Sequence, residues 1–354
     1  MVRWIARRPL GHALFPSARH RGEGGADIGL STPPRSDARL KRSLERARAF
    51  SRRHRTPLAI AASIGAAGLL VLVLAGRREE FATALSGASA RTLAIAILLQ
   101  IVALLARSEA WHLSIEAAGG TVARRVLYRA SSFGVLGSIL NAQLGVAARI
   151  GALRRSSPEV SPQIPTLIAA EFPILVVEGV LAALASFTLV GPLGLPWWLP
   201  IVCVAVFAIA SAGLRRLARR KGSELWRGLA VVHRLRGGSL VVGFVLIAVV
   251  AQVLRNWIML HAVGVDASLF DAVAVLIALV TLAQLPIGPS VGAGAAVLIL
   301  GSDGVAAAAA AGVLLTVTGT IGGLCFAAWA GVDGLWARRR AGARPHVPAA
   351  RADG

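Results

Sequence analysis

The chain has 354 residues, of which 56% are hydrophobic and 16% are charged, and its formal net charge is +21. Globular proteins have roughly a quarter of their residues charged, so this composition excludes an ordinary soluble domain. The basic residues flank long apolar runs, as in the cytoplasmic loops of membrane proteins, so nucleic acid is not an expected partner. We predict an all-α, polytopic helical membrane protein.

Residues 1–56 precede the first apolar run and are rich in arginine, with scattered glycine, proline and serine. This composition predicts a disordered basic tail on the cytoplasmic side. The first span is expected from Pro57 to Gly76, and residues 336–354 are expected to form a polar C-terminal tail. The helical transmembrane domain is therefore predicted to cover residues 57–335 of a multi-pass protein of the cell (plasma) membrane.

Further apolar runs reach the roughly 20 residues that cross about 30 Å of hydrocarbon, and we predict seven to nine spans in all. Two segments, residues 130–148 and 287–300, are weakly apolar or are interrupted by glycine and proline. Backbone that is not helical is tolerated at membrane depth only where protein or a wet cavity shields it. We therefore interpret both segments as interrupted or re-entrant helices.

The two interrupted segments also resemble each other in sequence. Residues 142–152 align without gaps on residues 283–293, at an offset of 141 residues, and five aligned positions are identical. Paired interrupted segments in corresponding halves of a chain are typical of transporter binding sites near the membrane midplane. The alternative is chance similarity between two segments rich in alanine and glycine.

Charged and polar residues in these regions indicate where a ligand binds. The guanidinium of Arg149 suits a lipid phosphate, and interrupted helices present free backbone N–H groups to anions. Glu171 and Glu178 share one helical face, so we expect them to face the interior and to pair with Arg149 or carry protons. A cytoplasmic boundary marker is the alternative for the arginines, and a structural ion pair is the alternative for the carboxylates. The candidate lipid-binding residues are Asn141, Gln143, Arg149, Gly151, Arg154, Glu171, Glu178, Gln284, Pro286, Pro289 and Gly292.

Two more pairs of polar residues interrupt or follow apolar runs. Arg107 and Glu109 follow the second run and are expected at the membrane interface. Arg255 and Asn256 interrupt a run that ends at Leu260, where they are placed to line a transport path. Both assignments are predictions from position alone.

The sequence contains no pattern that predicts catalysis or metal binding. No HExxH, P-loop or GxSxG motif occurs, and Cys203 and Cys325 each stand alone in an apolar run. We therefore expect neither an enzyme nor a cofactor or metal. The residues leave the oligomeric state open.

A set of motif residues resembles a known family over roughly residues 57–335. The set consists of Arg107, Trp111, Gly119-Gly120, Asn141, Arg149, Gly151, Arg154, Glu171, Pro286, Pro289, Gly292 and Gly294. In this order they resemble the lysylphosphatidylglycerol synthase transmembrane (flippase-like) family, although Gly145 stands where that family has a proline. The resemblance implies lipid translocation. No soluble aminoacyl-transferase domain is recognisable, so lipid synthesis by this chain alone is not expected.

The leading hypothesis is therefore a translocator of phospholipid or glycolipid, whose ligands are membrane lipids, expected to be anionic. The alternative is a non-transporting membrane subunit that acts as a scaffold for an envelope synthase or glycosyltransferase and recruits it through the basic tail. A membrane-embedded transferase would need Glu171 or Glu178 as a base, and the sequence supplies no nucleophile beside either residue.

Overall fold

A computed structural model describes positions 65, 68 and 72 and residues 75–140, 142–156, 162–221, 235–283, 291–301 and 304–342. All regular secondary structure in these ranges is helical, which confirms the all-α prediction there. Four helical segments are long and apolar enough to cross a membrane: Ala90–Ala117, Thr166–Leu193, Gly238–Ala262 and Val305–Ala337. The predicted tail of residues 1–56 and most of the predicted first span lie outside the described residues.

The described helices differ greatly in length. In chain order they are α1 (Arg78–Ser86), α2 (Ala90–Ala117), α3 (Arg124–Leu140), α4 (Ala142–Ser156), α5 (Ile164–Ala169), α6 (Glu171–Ala185), α7 (Val190–Leu193), α8 (Leu199–Lys221), α9 (Leu235–Ala262), α10 (Leu269–Leu282), α11 (Val291–Leu300) and α12 (Val305–Gly342). A 3-10 turn joins α6 to α7, so α5 to α7 form one nearly continuous rod. Local capping helps to fix the helix starts, since the side chain of Ser89 caps α2 and a capping box of Ser268 and Asp271 begins α10.

The two predicted interrupted segments lie in regions of short helices. The first, residues 130–148, covers parts of α3 and α4, which have 17 and 15 residues. The second, residues 287–300, is described only over α11, of 10 residues, and α10, of 14 residues, precedes it in the chain. A 10-residue helix is about 15 Å long and cannot cross about 30 Å of hydrocarbon. Residues 287–290 of the apolar run predicted from Ile287 lie outside the described residues, and the described part of that run is α11.

Helices α3 and α4 pack closely through glycine. A Cβ atom at Gly145 would lie 2.8 Å from the carbonyl oxygen of Gly134, and one at Gly137 would lie 2.9 Å from that of Leu144. These distances are shorter than normal packing contacts, so only glycine allows the two helices to approach this closely. The small residues that lower the hydrophobicity of this segment therefore form a helix–helix contact.

The α2–α3 unit and the α9–α10 unit have the same construction. Helices α2 and α9 each have 28 residues, and the helices that follow them begin at Arg124 and Leu269, which are 145 positions apart. The intervening turn contains a left-handed glycine at the same place in each unit, Gly119 with φ 88° and Gly264 with φ 82°. The two turns therefore correspond residue by residue.

Hydrogen bonds at these turns repeat at the same spacing of 145 residues. A ring nitrogen of His112 lies 3.1 Å from the carbonyl oxygen of Val122, and the indole nitrogen of Trp257 donates to the carbonyl oxygen of Ala267 over 3.1 Å. Each side chain thus holds the end of a long helix to the start of the next one. The sequence comparison did not detect this correspondence, because different residue types make the equivalent bonds.

Helices α2 and α9 pack against each other in opposite directions. Gln100, in the first half of α2, bonds to Arg255 near the end of α9, whereas Trp111 and Ile115 near the end of α2 share a buried cluster with Val245. Between these contacts lies a cluster of four buried alanines at equivalent positions of the two helices, namely Ala103, Ala106, Ala248 and Ala251. The two units are therefore related by an approximate two-fold axis that passes between the helices.

The spacing between corresponding residues becomes shorter after the short helix pairs. Helix α5 begins at Ile164 and α12 begins at Val305, 141 positions later, which equals the offset predicted from the aligned sequence segments. Helix α10 is three residues shorter than α3, which accounts for most of the change from 145. The aligned segments themselves differ locally, since residues 142–152 lie within α4 while residue 283 caps α10.

We expect Gly119→Ala and Gly264→Ala to destabilise the protein equally, by about 1 kcal/mol each, because a Cβ atom is strained at positive φ. A new Cβ at either position would have no neighbour within 4 Å, so strain is the only cost. Gly213→Ala in helix α8 is the control, since that site is also open but helical and should keep or gain stability. Thermal unfolding in detergent measures all three. Unequal losses at residues 119 and 264 would contradict the equivalence of the two turns.

Candidate functional site

A buried ion pair joins the first short helix pair to the rod formed by α5 to α7. The guanidinium of Arg149, on α4, donates to the carboxylate of Glu171, the first residue of α6. The two side chains are only 12% and 15% exposed. The fully buried ring of Trp111, on α2, lies under the guanidinium, whose carbon is 4.0 Å from the ring centre. Such a desolvated cation–π contact stabilises the charge by about 2 kcal/mol.

A second ion pair lies beside the first. Arg107, one helical turn before Trp111 on α2, donates to Glu178 over 2.9 Å, and Glu178 lies two turns beyond Glu171 on α6. This pair is more accessible, with side chains 45% and 27% exposed. We call Arg107, Arg149, Glu171 and Glu178 the charged cluster; its formal charges sum to zero.

Short-range structure explains how the cluster forms. Arg107 and Trp111 are four residues apart and therefore lie on one face of α2. Residue 170 ends α5 and begins α6, so the carboxylate of Glu171 lies in the first turn of α6, where the helix dipole favours a negative charge. Pro173 is tolerated in that turn because its missing N–H has no intrahelical acceptor there.

Further polar contacts connect the ends of the helices around the cluster. Arg129 of α3 donates to the carboxylate of Asp333 of α12 over 2.9 and 2.6 Å. Glu109 accepts a hydrogen bond from the hydroxyl of Tyr128, and Arg124 lies 3.8 Å from the same carboxylate. These contacts bind α2, α3 and α12 together near one end of α2. Arg107 and Glu109, which were both predicted at the membrane interface, thus have different partners.

The structure brings some of the predicted site residues together. The expected contact between Arg149 and Glu171 is present, but Glu178 pairs with Arg107 instead of Arg149. Gly151 and Arg154 are exposed on the far side of α4 from this pair and take no part in it.

Gly292 has a packing role. A Cβ atom there would overlap the carbonyl of Gly312 on α12, so this glycine allows α11 and α12 to approach each other closely. Asn141, Gln284, Pro286 and Pro289 lie outside the described residues, as does the side chain of Gln143.

Sequence reasoning missed two members of this site. Trp111 and Arg107 were noticed as motif residues, but their position beside Arg149 was not expected. Their spacing of four residues within an apolar helix was an available signal, because it puts an arginine and an aromatic ring on one face. Which other helix that face meets could not be derived from spacing.

The arrangement can exchange ionic partners. Each guanidinium is a fork-shaped donor that binds a carboxylate or a phosphate with similar geometry. A phosphate entering between the pairs would replace a carboxylate at one arginine without leaving the arginine unpaired. No group of three or more His, Cys, Asp or Glu side chains in the described part of the chain is arranged to hold a metal ion.

Comparison with protein-family models, curated proteins and solved structures gives no match to this chain. The resemblance to the flippase-like family therefore rests on the motif residues alone.

Proposed function

We propose that this chain is an integral protein of the cell membrane that translocates anionic lipid, in the manner implied by its resemblance to the lysylphosphatidylglycerol synthase transmembrane (flippase-like) family. The observation that carries the proposal is the charged cluster, which lies where α4 of the first short helix pair meets two helices long enough to span a membrane. Ionisable groups are expensive at membrane depth, so a group of four is a functional signal.

The chemistry of the cluster suits a lipid phosphate that must arrive and leave. While no lipid is bound, Glu171 and Glu178 neutralise the two arginines, so no bare charge faces hydrocarbon. A lipid phosphate displaces a carboxylate from Arg149 or Arg107, and the carboxylate returns when the lipid moves on. The displaced carboxylate loses its guanidinium partner, and this cost offsets part of the free energy of phosphate binding, so the lipid is not held too tightly to leave.

The relation between the two halves also supports transport. If α2 and α9 both cross the membrane, their antiparallel packing gives the two units opposite orientations, an arrangement found in many secondary transporters. In those proteins the substrate site lies where interrupted helices from the two repeats meet. The α3–α4 and α10–α11 pairs are the interrupted elements here, and we interpret both as re-entrant.

The orientation follows from the basic residues. A cytoplasmic N-terminus and an outward first span bring α2 back inward, so that its C-terminal end and the arginines at residues 124, 125 and 129 lie at the cytoplasmic surface. The charged cluster then belongs to the cytoplasmic half of the membrane. Anionic lipid of the inner leaflet has direct access to it.

The test is lipid movement in vesicles. Full-length protein is reconstituted into phosphatidylcholine vesicles that contain a trace of fluorescent phosphatidylglycerol, and a membrane-impermeant reductant bleaches the outer leaflet. We expect the protein to bring the inner-leaflet reporter lipid to the outer leaflet, so that it is bleached as well. Arg155→Gln is the control: it changes an exposed arginine of α4 outside the cluster and should behave like the wild type. Bleaching equal to that of protein-free vesicles would contradict translocation. If deletion of residues 1–50 then abolished binding of an envelope synthase or glycosyltransferase, the scaffold alternative would gain support.

A further inference from the structure

A second buried arginine lies away from the charged cluster, and no carboxylate among the described residues neutralises it. Arg255 of α9 is 7% exposed; it donates to the amide oxygen of Gln100 on α2, and a second nitrogen lies 3.5 Å from the carbonyl oxygen of Leu315 on α12. Among the described residues no carboxylate oxygen comes within 4 Å of it. All three helices are long and apolar enough to span a membrane.

Donor and acceptor capacity at this position remains unused. The Nε of Arg255 and the side-chain oxygen of the next residue, Asn256, are buried and have no hydrogen-bond partner within the described structure. Gly319 of α12 faces the guanidinium, and a Cβ atom there would lie 3.3 Å from its Nη1. Any larger side chain would press on the guanidinium, so glycine leaves room beside the charge.

The internal repeat shows which side chains can pack α2 against α9 at the position of Arg255 and Gln100. With the spacing of 145 residues, Arg255 corresponds to Ala110 and Gln100 corresponds to Val245. Ala110 and Val245 both lie in an apolar cluster of buried residues at the other end of the same helix pair. An alanine and a valine therefore suffice for packing α2 against α9 at this position. The polar pair is an addition in one half of the protein that packing does not explain.

We infer that Arg255 and Gln100 form a binding site for the phosphate of the translocated lipid, in the half of the membrane opposite to the charged cluster. This inference rests on the proposed function. Gln100 and Trp111 are 11 residues apart on α2, which puts about 16 Å along the helix axis between the two sites. The guanidinium supplies charge-assisted hydrogen bonds, and its uncompensated charge selects an anion.

The charged cluster and the Arg255 site differ in net charge, and this difference favours movement of a lipid phosphate from the first to the second. The charged cluster is neutral when empty and exchanges partners. Arg255 has no carboxylate to displace in the described part of the chain, and it gains an anionic partner when lipid arrives. A phosphate that leaves the cluster therefore meets an unpaired charge further along the same helix. Gln100, which bonds to Arg255, orients the guanidinium and its free Nε.

The test uses the residues that the other half of the protein already contains. The double variant Gln100→Val/Arg255→Ala reproduces the apolar contact of Val245 and Ala110, so we expect it to fold. Purified full-length protein in uncharged detergent is titrated with dioctanoyl-phosphatidylglycerol, and bound lipid is followed by the rise in unfolding temperature. Dioctanoylglycerol, which has the same chains without phosphate, and inorganic phosphate are titrated in parallel, and Arg155→Gln is the matched control.

Because the charged cluster is proposed to bind the same phosphate, the titration is made in an Arg149→Met/Glu171→Met background. There we expect Gln100→Val/Arg255→Ala to raise the half-saturating concentration of dioctanoyl-phosphatidylglycerol by at least about tenfold, while Arg155→Gln leaves it unchanged. Competition by inorganic phosphate at equal concentration would mean that the site takes any oxoanion and not the lipid specifically. Unchanged lipid affinity in the double variant, or its failure to fold, would overturn the inference and make Arg255 a structural residue. Vesicle translocation by the wild type is measured separately. If the double variant loses lipid binding but the wild type moves no lipid, only the proposed function is contradicted.

Discussion

Replacing Arg149 with methionine is expected to destabilise the protein by about 3–5 kcal/mol, because it leaves the carboxylate of Glu171 buried without its partner. The side chain of Glu171 is only 15% exposed, so water cannot replace the guanidinium fully. The double variant Arg149→Met/Glu171→Met is expected to recover most of this loss, since apolar side chains can replace a buried ion pair at little cost. Thermal unfolding of the purified variants in detergent measures both effects.

The neighbouring ion pair is the matched control. Arg107 and Glu178 are 45% and 27% exposed, so Arg107→Met is expected to cost only about 1 kcal/mol or less. A loss at residue 107 as large as that at residue 149 would contradict the role of burial. The stable double variant also separates function from structure, since it should fold and yet fail to move lipid in vesicles. Normal lipid movement in that variant would make the pair purely structural.

The second large effect is expected at the contact between α11 and α12. Gly312→Ala is expected to cost about 3 kcal/mol, because the new Cβ atom would overlap the backbone of Gly292 and Ala293. Backbone atoms cannot turn aside as the end of a flexible side chain does, so the two helices must move apart.

Gly331→Ala is the control, since it makes the same change on the same helix at an exposed site with no atom within 4 Å of the new Cβ. That variant should gain up to about 1 kcal/mol from its higher helix propensity. Equal stability of the two variants in thermal unfolding would contradict the close contact. Gly292→Ala should behave like Gly312→Ala, which would support a packing role for a glycine that the sequence suggested as a lipid ligand.

Properties that depend on local sequence could be predicted well. Composition and the length of apolar runs indicated an all-helical chain with helices long enough to cross a membrane, because hydrophobicity and helix length are summed along the chain. Glycine and low hydrophobicity marked the region of the short helices α3 and α4, because these properties act on the backbone where the residues stand. The charged residues Arg149, Glu171 and Glu178 were recognised for the same reason, as polar residues in apolar surroundings.

Only the tertiary structure decided which of these residues meet. It paired Glu178 with Arg107, put Trp111 under Arg149, gave Gly292 a packing role and related α2 to α9 by an approximate two-fold axis. Each of these facts is a distance between helices that are far apart in the chain, and helical periodicity gives the direction of a side chain but not its neighbour. The sequence by itself determined the composition of each helix. Packing determined which charges became partners, and which buried arginine has no carboxylate beside it among the described residues.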